Sequence, residues 1–461
     1  MDREIMKYFA WRLIAASSFL MISLAAAETR PQYGGTLHVA IRETPATLDP
    51  SLESQVDSLA LRNLTLLIFD TLVTVDNHSH LQPELALSWQ ATSDNRRWQF
   101  RLRSGVKFHD GSGLVPELAA ASLRVANPAW NVAANGDMVV IELSQPDREL
   151  PAQLALAKNA IAKKAADGTL AGTGPFRITE WDADKKLTLA ANEDYWRGRP
   201  FLDSIEVEMG RNPRDQLTAL ELGHSDLIEV APEQLRHISA DGRRASSSEP
   251  IELGALLFSR APQSEEEKLL RSALALSVDR AAIRNVLLQG AGQPAGGILP
   301  NWMSGYAFVL SSDVDLIAAR RQIAQVQSLP TWTIGYDTND PLSRVIAERI
   351  VLNAHDAGLK LQVTAGRDTD IRLLRIPLAS SDPRISLQEV EHIVGLPIPK
   401  ESTSSIESLY QREQALLSTQ KLIPLFHVPE SYGIASTIKN LSLSQDGIWN
   451  LADVWLTNNK P

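Results

Sequence analysis

Cysteine is absent from all 461 residues, so disulfides, thiolate metal sites, cysteine nucleophiles and cysteine-linked lipid anchors are excluded. A basic excess is absent too: 45 lysines and arginines face 55 aspartates and glutamates, a formal charge of −10. An acidic chain without a basic stripe argues against nucleic acid as a partner. Beyond residue 24 no apolar run could span a membrane, a task that needs about 20 residues. No Walker loop, no Gly-x-Gly-x-x-Gly after a strand, no Gly-x-Ser-x-Gly elbow and no His-Glu-x-x-His occurs. The common nucleotide, hydrolase and zinc-protease readings go with them. No nucleophile stands at readable spacing from a base.

What is present is ordinary globular material, 44% hydrophobic and 22% charged. At about 150 residues per domain the length allows roughly three structural units. Residues 1–27 read as an export leader: Arg3, Lys7 and Arg12 supply positive charge, Leu13 to Leu24 is apolar, and Ala25-Ala26-Ala27 offers a small-x-small cleavage site. Without them the charge is −11. The expectation is a periplasmic protein, exported with cleavage after Ala27.

Strand and helix patterns then alternate. Gly34 to Arg42 alternates with period two, and Leu59 to Phe69 has a helical apolar face. Strands are expected at Leu72–Val75, Trp98–Leu102 and Met138–Leu143, and an Ala-rich helix at Leu150–Ala165. Phe176–Trp181 with Lys186–Ala190 reads as a hairpin, and Ile205–Met209 as a strand. Asn212-Pro213, Ser264 with Glu267, Asp279 and Asp340-Pro341 are helix starts, while Gly223, Gly290 and Gly358 are stops. Thr331–Tyr336 and Leu359–Thr364 flank the helix opened by Asp340; another helix is expected at Ser405–Leu417. Ile423–Val428, Tyr432–Ala435 and Leu441–Leu443 read as short extended pieces. The pattern is α/β with mixed sheets.

The close histidine pair His78 and His80 sits in a polar turn without a carboxylate cluster, so a solvated turn is expected rather than a metal site. His109-Asp110 looks like a dyad on paper, but neighbours at a strand end point to opposite faces, and a structural turn is expected. Glu265 to Glu267 suit the first turn of a helix. Trp98, Phe100, Leu102 and Phe108 are expected in a core.

In order along the chain stand Gly34-Gly35-Thr36-Leu37, Thr47-Leu48-Asp49-Pro50, Phe69-Asp70-Thr71-Leu72 and Leu81-Gln82-Pro83-Glu84-Leu85-Ala86 with Trp89. Trp98 through Gly111, Gly172-Thr173-Gly174-Pro175-Phe176, Asn192 with Tyr195-Trp196, and Leu270-Arg271-Ser272-Ala273-Leu274 follow. Asp279-Arg280, Gly290-x-Gly292 and Leu451-Ala452-Asp453-Val454-Trp455 complete the set. The chain thereby resembles the family 5 extracellular solute-binding proteins, the dipeptide, oligopeptide and nickel receptors of ABC importers.

The resemblance implies a bilobal periplasmic-binding-protein fold, type II-like, with mixed sheets and a small inserted subdomain. Lobe I would comprise residues 28–72, 173–260 and 431–461, the insert 73–172, and lobe II 261–430. It implies capture of a small or peptide-like ligand in an interlobe cleft and delivery to permease subunits of an ABC importer. No catalytic residue, metal ligand, cofactor or nucleic acid is implied, and a monomer is expected. The alternative is a sensing or scaffold protein on the same fold with no import role.

Two departures stand out: the insert is short, and lobe II is abbreviated between Thr364 and Pro383. In register with Asp382-Pro383, Ala379 stands where the family's peptide receptors carry the aspartate that binds the peptide ammonium. A ligand neutral or capped at that end is therefore expected. The expected cleft residues are Leu378, Ala379, Ser380 and Ser381 from lobe II, Thr44 and Thr47 after the first strand, and His427.

Overall fold

The computed structural model describes residues 30–52, 58–76, 80–165, 168–235, 238, 244–338, 340–366, 368–378, 380–396 and 405–457. The leader expected at residues 1–27 lies outside them, as does His78. Among the described residues no helix is long and apolar enough to cross a membrane.

The sheet begins with β1 (Thr36–Ala40), which buries Leu37 and Val39 as its alternation requires. Helix α1 (Leu59–Ile68) follows, its first turn capped by Ser58 Oγ accepting from Leu61 N at 3.1 Å. After the insert come β2 (Phe176–Asp182), β3 (Lys186–Ala191), β4 (Ser204–Glu208) and β5 (Leu227–Glu229). β6 (Arg244–Phe258) runs out of the first lobe into the second. There the chain forms β7 (Thr331–Tyr336), α2 (Pro341–Ala357), β8 (Lys360–Ala365), β9 (Ile371–Pro377) and α3 (Pro383–Val394). β10 (Leu422–Ile434) returns to the first lobe. One sheet carries all of this, in the order β2-β3-β4-β1-β5-β10-β6-β9-β7-β8, with Gln293–Pro294 pairing β10 from the side.

Separate cores form along that sheet. In the first lobe Leu37, Val39, Leu64, Phe69, Phe176, Leu189, Val207 and Trp449 pack together. The insert packs Phe100, Phe108, Leu123, Val139 and Ile141 between a four-stranded antiparallel sheet and the helix Pro116–Ala126. Trp98 and Leu102 join that core, as the sequence leads one to expect. In the second lobe β6 feeds two cores at once. Leu256 and Phe258 point into one with Leu274, Ile334 and Ile350, while Leu253, Ala255 and Leu257 point into another with Ile376 and Val390. A strand covered on both faces reads as a continuous apolar run, which hides its period.

Residues 150–165, β10 and α3 are among the elements that differ from the sequence expectation. Residues 150–165 form only one helical turn (Leu150–Gln153) and a 3-10 turn (Ala157–Asn159). Leu150, Pro151, Ala152, Leu154, Leu156, Asn159, Ala160 and Ile161 are all buried, a spread around the whole circumference that no single helical face permits. Ile161 N is instead pinned to Asp70 O at 2.8 Å. The two short pieces expected at Ile423–Val428 and Tyr432–Ala435 are one strand, β10, continuous through Pro429. The third is α3, which opens at Asp382-Pro383 with Asp382 accepting from Arg384 N at 2.9 Å.

Glycine matters most in the loop that joins insert and first lobe. A Cβ on Gly172 would lie 1.9 Å from Ile68 O, and one on Gly174 2.6 Å from Ile68 C, so no side chain fits against the end of α1. His109 holds this loop: its Nδ1 accepts from Gly172 N at 3.2 Å and its Nε2 lies 3.0 Å from Gly174 O. Asp110 turns away to Lys163 at 2.6 Å and Ser112 at 2.6 Å. The apparent dyad is a turn.

Candidate functional site

β6 and β10 are the two crossing segments, and Pro250 faces Pro429 in their register. Proline has no N–H to give to a ladder, so the pairing slips on both sides of that point. The seam between the lobes falls there. In open α/β sheets the crevice beyond the carboxyl ends of the strands is where ligands bind. Arg42 and Glu43 follow the carboxyl end of β1, Glu229 closes β5, and Asp340 follows β7.

These residues meet charges on the crossing strands. Glu229 Oε2 accepts from Arg42 Nε at 2.9 Å and from the Arg42 backbone N–H at 2.8 Å. Arg42 Nη2 stands 3.6 Å from Glu430 Oε2 on β10. Arg375 on β9 bonds Glu252 on β6 and lies 3.7 Å from Asp340 Oδ2, the residue that caps α2. Among the described residues, four carboxyl groups (Glu229, Glu252, Asp340, Glu430) thus share two guanidiniums, and the Glu43 carboxyl feels the charges of Arg42, Glu229 and Glu252. Burial pushes the Glu430 carboxyl up to about 8, with Arg42 opposing and Glu252 and Glu229 reinforcing. Glu43 still touches water and rises less, to about 7, again through lost hydration. Burial works against the Arg42 charge, but Glu229 and Glu430 overcome it and raise its pKa.

The expected site residues distribute around this seam. Thr44 is exposed beside Glu43, in the turn after β1. Thr47 is half-buried, and its Oγ1 accepts from Asp49 N at 3.1 Å. Leu378 is buried just past β9, its N–H donating to Ile251 O at 2.8 Å. Ala379 lies outside the described residues. Ser380 and Ser381 are buried at the start of α3. Ser380 Oγ accepts from Asp382 N at 3.1 Å, and its carbonyl accepts from Ser386 Oγ at 2.6 Å. His427 is buried within lobe II with Nε2 2.8 Å from Ile298 O, and lost hydration lowers its pKa to about 4. Leu378, Ser380 and Ser381 are thus brought together, whereas Thr47 and His427 are engaged in holding backbone elsewhere.

Sequence reasoning missed Arg42, Glu43, Glu229, Glu252, Asp340, Arg375 and Glu430. One signal was available: Pro250 and Pro429 each stand beside a glutamate, Glu249 and Glu430, and each precedes or follows an apolar run. Asp340 was legible only as a helix cap.

The seam is bridged at two further places. Arg62 on α1 reaches the end of β9, its Nη1 donating to Leu378 O at 2.6 Å. At the rim the insert touches α3: Glu149 pairs with Arg384 at 2.8 Å, Lys158 with Glu389 at 2.6 Å, and Ala152 and Leu156 pack on Ile385. Among the described residues no His, Asp or Glu group is arranged to hold a metal ion. A groove of about 440 Å³ runs between α2 and β8, lined by Val351, Leu352, His355 and Leu361. It lies at the sheet edge, three strands from β6, and none of the seam charges reaches it.

Comparison with known proteins agrees with this architecture. The oligopeptide-binding protein AppA of Bacillus subtilis, solved with a nonapeptide, superposes with a TM-score of 0.79 at 17% identity, covering 93% of this chain and all of that one. The fold is that of the bilobal periplasmic binding proteins. Protein XP55 of Streptomyces lividans is 27% identical over 361 residues, 70% of this chain and 66% of its own length. The probable D,D-dipeptide-binding periplasmic protein DdpA of Escherichia coli (strain K12) is 27% identical over 292 residues, 57% of this chain and 56% of its own length. The chain thus spans between half and two thirds of these curated relatives. The profile of the bacterial extracellular solute-binding proteins, family 5 (middle), matches residues 80–384. With seam, crossing strands and insert in place, the chain belongs to that family.

Proposed function

We propose that this protein captures a cationic small molecule or cationic peptide-like ligand in the interlobe seam and delivers it to the permease subunits of an ABC importer, catalysing no reaction. The observation that supports the ligand class is the excess of carboxyl over guanidinium groups around Glu430. A buried carboxyl that keeps its proton near neutral pH can release it when a cation arrives, because the incoming charge replaces the one that hydration no longer supplies. Ala379 removes the family's usual ammonium partner, and the seam carboxylates offer another from different strands. On this reading Thr44, Leu378, Ser380 and Ser381 line the approach, while Thr47 and His427 support it by fixing backbone.

We further propose the expected division into lobe I, insert (73–172) and lobe II, with one correction: lobe I gives way to lobe II at Pro250 rather than at residue 260, because Leu253 to Phe258 pack into the second-lobe cores; export would follow cleavage after Ala27. The separate cores on either side of β6 and β10 support the division. Intact mass of the protein from a periplasmic fraction tests the export step: a species retaining Met1 would refute it.

Calorimetry tests the ligand class. Lysine- and arginine-containing dipeptides, putrescine, and neutral and acidic dipeptides are titrated in two buffers of different ionisation enthalpy. Cations are expected to bind with proton release, and more weakly as the pH falls below about 8, where Glu430 holds its proton. Preferential binding of the acidic dipeptides would overturn the assignment.

A further inference from the structure

Arg62 occupies an unusual place for a surface-type side chain. It is 6% exposed, on a helix that packs into the first-lobe core, yet its guanidinium hydrogen-bonds the second lobe. Nη1 donates to Leu378 O at 2.6 Å, and Nη2 lies 3.5 Å from Pro377 O. Pro377 is the last residue of β9 and stands opposite Glu252 in the sheet register, so the contact adjoins the seam charges. Carbonyls at the end of such a strand are the acceptors that an extended ligand would use, since strand addition works through main-chain hydrogen bonds.

We propose that Arg62 is a built-in competitor for the capture site, a side chain of the protein that holds the lobe II strand end until a ligand displaces it. The bridge joins the two lobes, so the same guanidinium keeps the ligand-free seam closed. Charge-assisted hydrogen bonds are the strong ones, and this one is shielded from water. The rim contacts Glu149–Arg384 and Lys158–Glu389 close the same seam from the insert side. Opening therefore requires all of them to part. A ligand succeeds by offering N–H donors or a positive charge to the acceptors that Arg62 gives up. Its apparent affinity is reduced by the fraction of molecules in which Arg62 has let go. Displacement of this kind selects for ligands that resemble a guanidinium or ammonium.

The inference rests on reading the seam as the capture site, and its test is made without ligand so that the two can fail separately. Because the chain has no cysteine, Ala133→Cys in the insert and Ala415→Cys in lobe II, both exposed, take two spin labels at known places. Pulsed dipolar spectroscopy compares the ligand-stripped protein carrying Arg62 with Arg62→Met and Arg62→Lys. With Arg62 one short-distance population is expected. Arg62→Met is expected to add a second, longer population, and Arg62→Lys, which keeps the charge but loses the fork, a smaller one. Should the methionine variant not fold, the lysine variant decides alone. Unchanged distributions in the variants, or a long population already dominant with Arg62, would overturn the proposal. A closed, Arg62-dependent distribution together with failure of every cation to bind would retain the latch and remove the cation reading.

Discussion

Asp70 and Glu430 are both carboxyls with little water around them, and their surroundings differ in kind. Asp70 accepts from Thr173 Oγ1 at 2.9 Å, Trp196 Nε1 at 3.0 Å and Tyr195 OH at 3.3 Å, three donors delivered by the loop after the insert and the turn after β3. Next to it Glu84 pairs with Arg197, and Arg103 and Arg197 lie 4.3 and 4.7 Å from the Trp196 ring centre. Burial raises both carboxyls, Glu84 to about 8. Glu430 has one guanidinium nitrogen at 3.6 Å and shares that arginine with Glu229. In the Asp70 cluster three donors from two loops converge on one carboxylate. In the seam, among the described residues, carboxyl groups outnumber the guanidiniums that pair with them. A buried polar network that is complete fixes a fold, and one that is incomplete in a crevice is suited to binding.

Substitutions should separate the two. Asp70→Ala orphans three donors inside the first lobe, and a loss on the order of 3 kcal/mol or more in urea denaturation is expected. Ligand affinity of the remaining folded protein should hold. A loss below about 1 kcal/mol would show that the cluster is not the structural one.

Arg42→Met comes next. It strips Glu229 of its guanidinium, and about 2–3 kcal/mol should be lost, at or below the usual range for a broken buried pair. The reduction reflects Arg42 being 31% exposed, where water screens part of the interaction. Here binding should change as well, and an affinity untouched by Arg42→Met would detach the seam from function.

Glu430→Gln should do less to stability and more to its pH dependence. The folded-state pKa of about 8 lies above the usual carboxyl value, so between about pH 4 and pH 8 the folded state keeps a proton that the unfolded state has lost. Stability from this group is full below that window and drains away as the pH rises through it. Glutamine removes the drain, so the variant should equal the parent at pH 5 and exceed it by on the order of 1 kcal/mol at pH 8. His427, lowered to about 4, has the opposite slope and loses stability as the pH falls from about 6.5. Melting curves at several pH values distinguish them, and a parallel pH profile for Glu430→Gln and parent would count against the buried proton.

Thr47→Val should have the smallest effect, roughly 0.5–1 kcal/mol for one hydrogen bond to Asp49 N, with ligand affinity preserved. Loss of binding in this variant would move Thr47 from supporting the turn to touching the ligand.

Much of the element pattern was legible. Asn212 accepts from Arg214 N and Asp215 N, and Asp340 from Leu342 N, as the cap-then-proline spelling foretells. Ser264 caps its helix from Glu267 N, although Glu267 reaches back to Gln263 N instead of completing the box. Asp382-Pro383 carries the same spelling as the other two helix starts, so α3 was readable from the sequence. β6 was not, because its first half is polar and its second half is apolar on both faces. The charged seam was not either: Arg42 and Arg375 look like ordinary strand-end charges, and Glu252 and Glu430, inside β6 and β10, look like ordinary charges at the border of an apolar run.

Helix caps, the hairpin of β2 and β3 and the absence of thiol chemistry follow from the sequence by itself, because each depends on composition or on residues a few positions apart. The meeting of Arg42 with Glu229, 187 residues away, depends on β1 and β5 lying side by side. That of Arg62 with Leu378, across 316 residues, depends on how the lobes close. Only the tertiary structure decides such pairs, since a charge acquires its partner, its pKa and its use from whatever the fold packs against it and how much water remains.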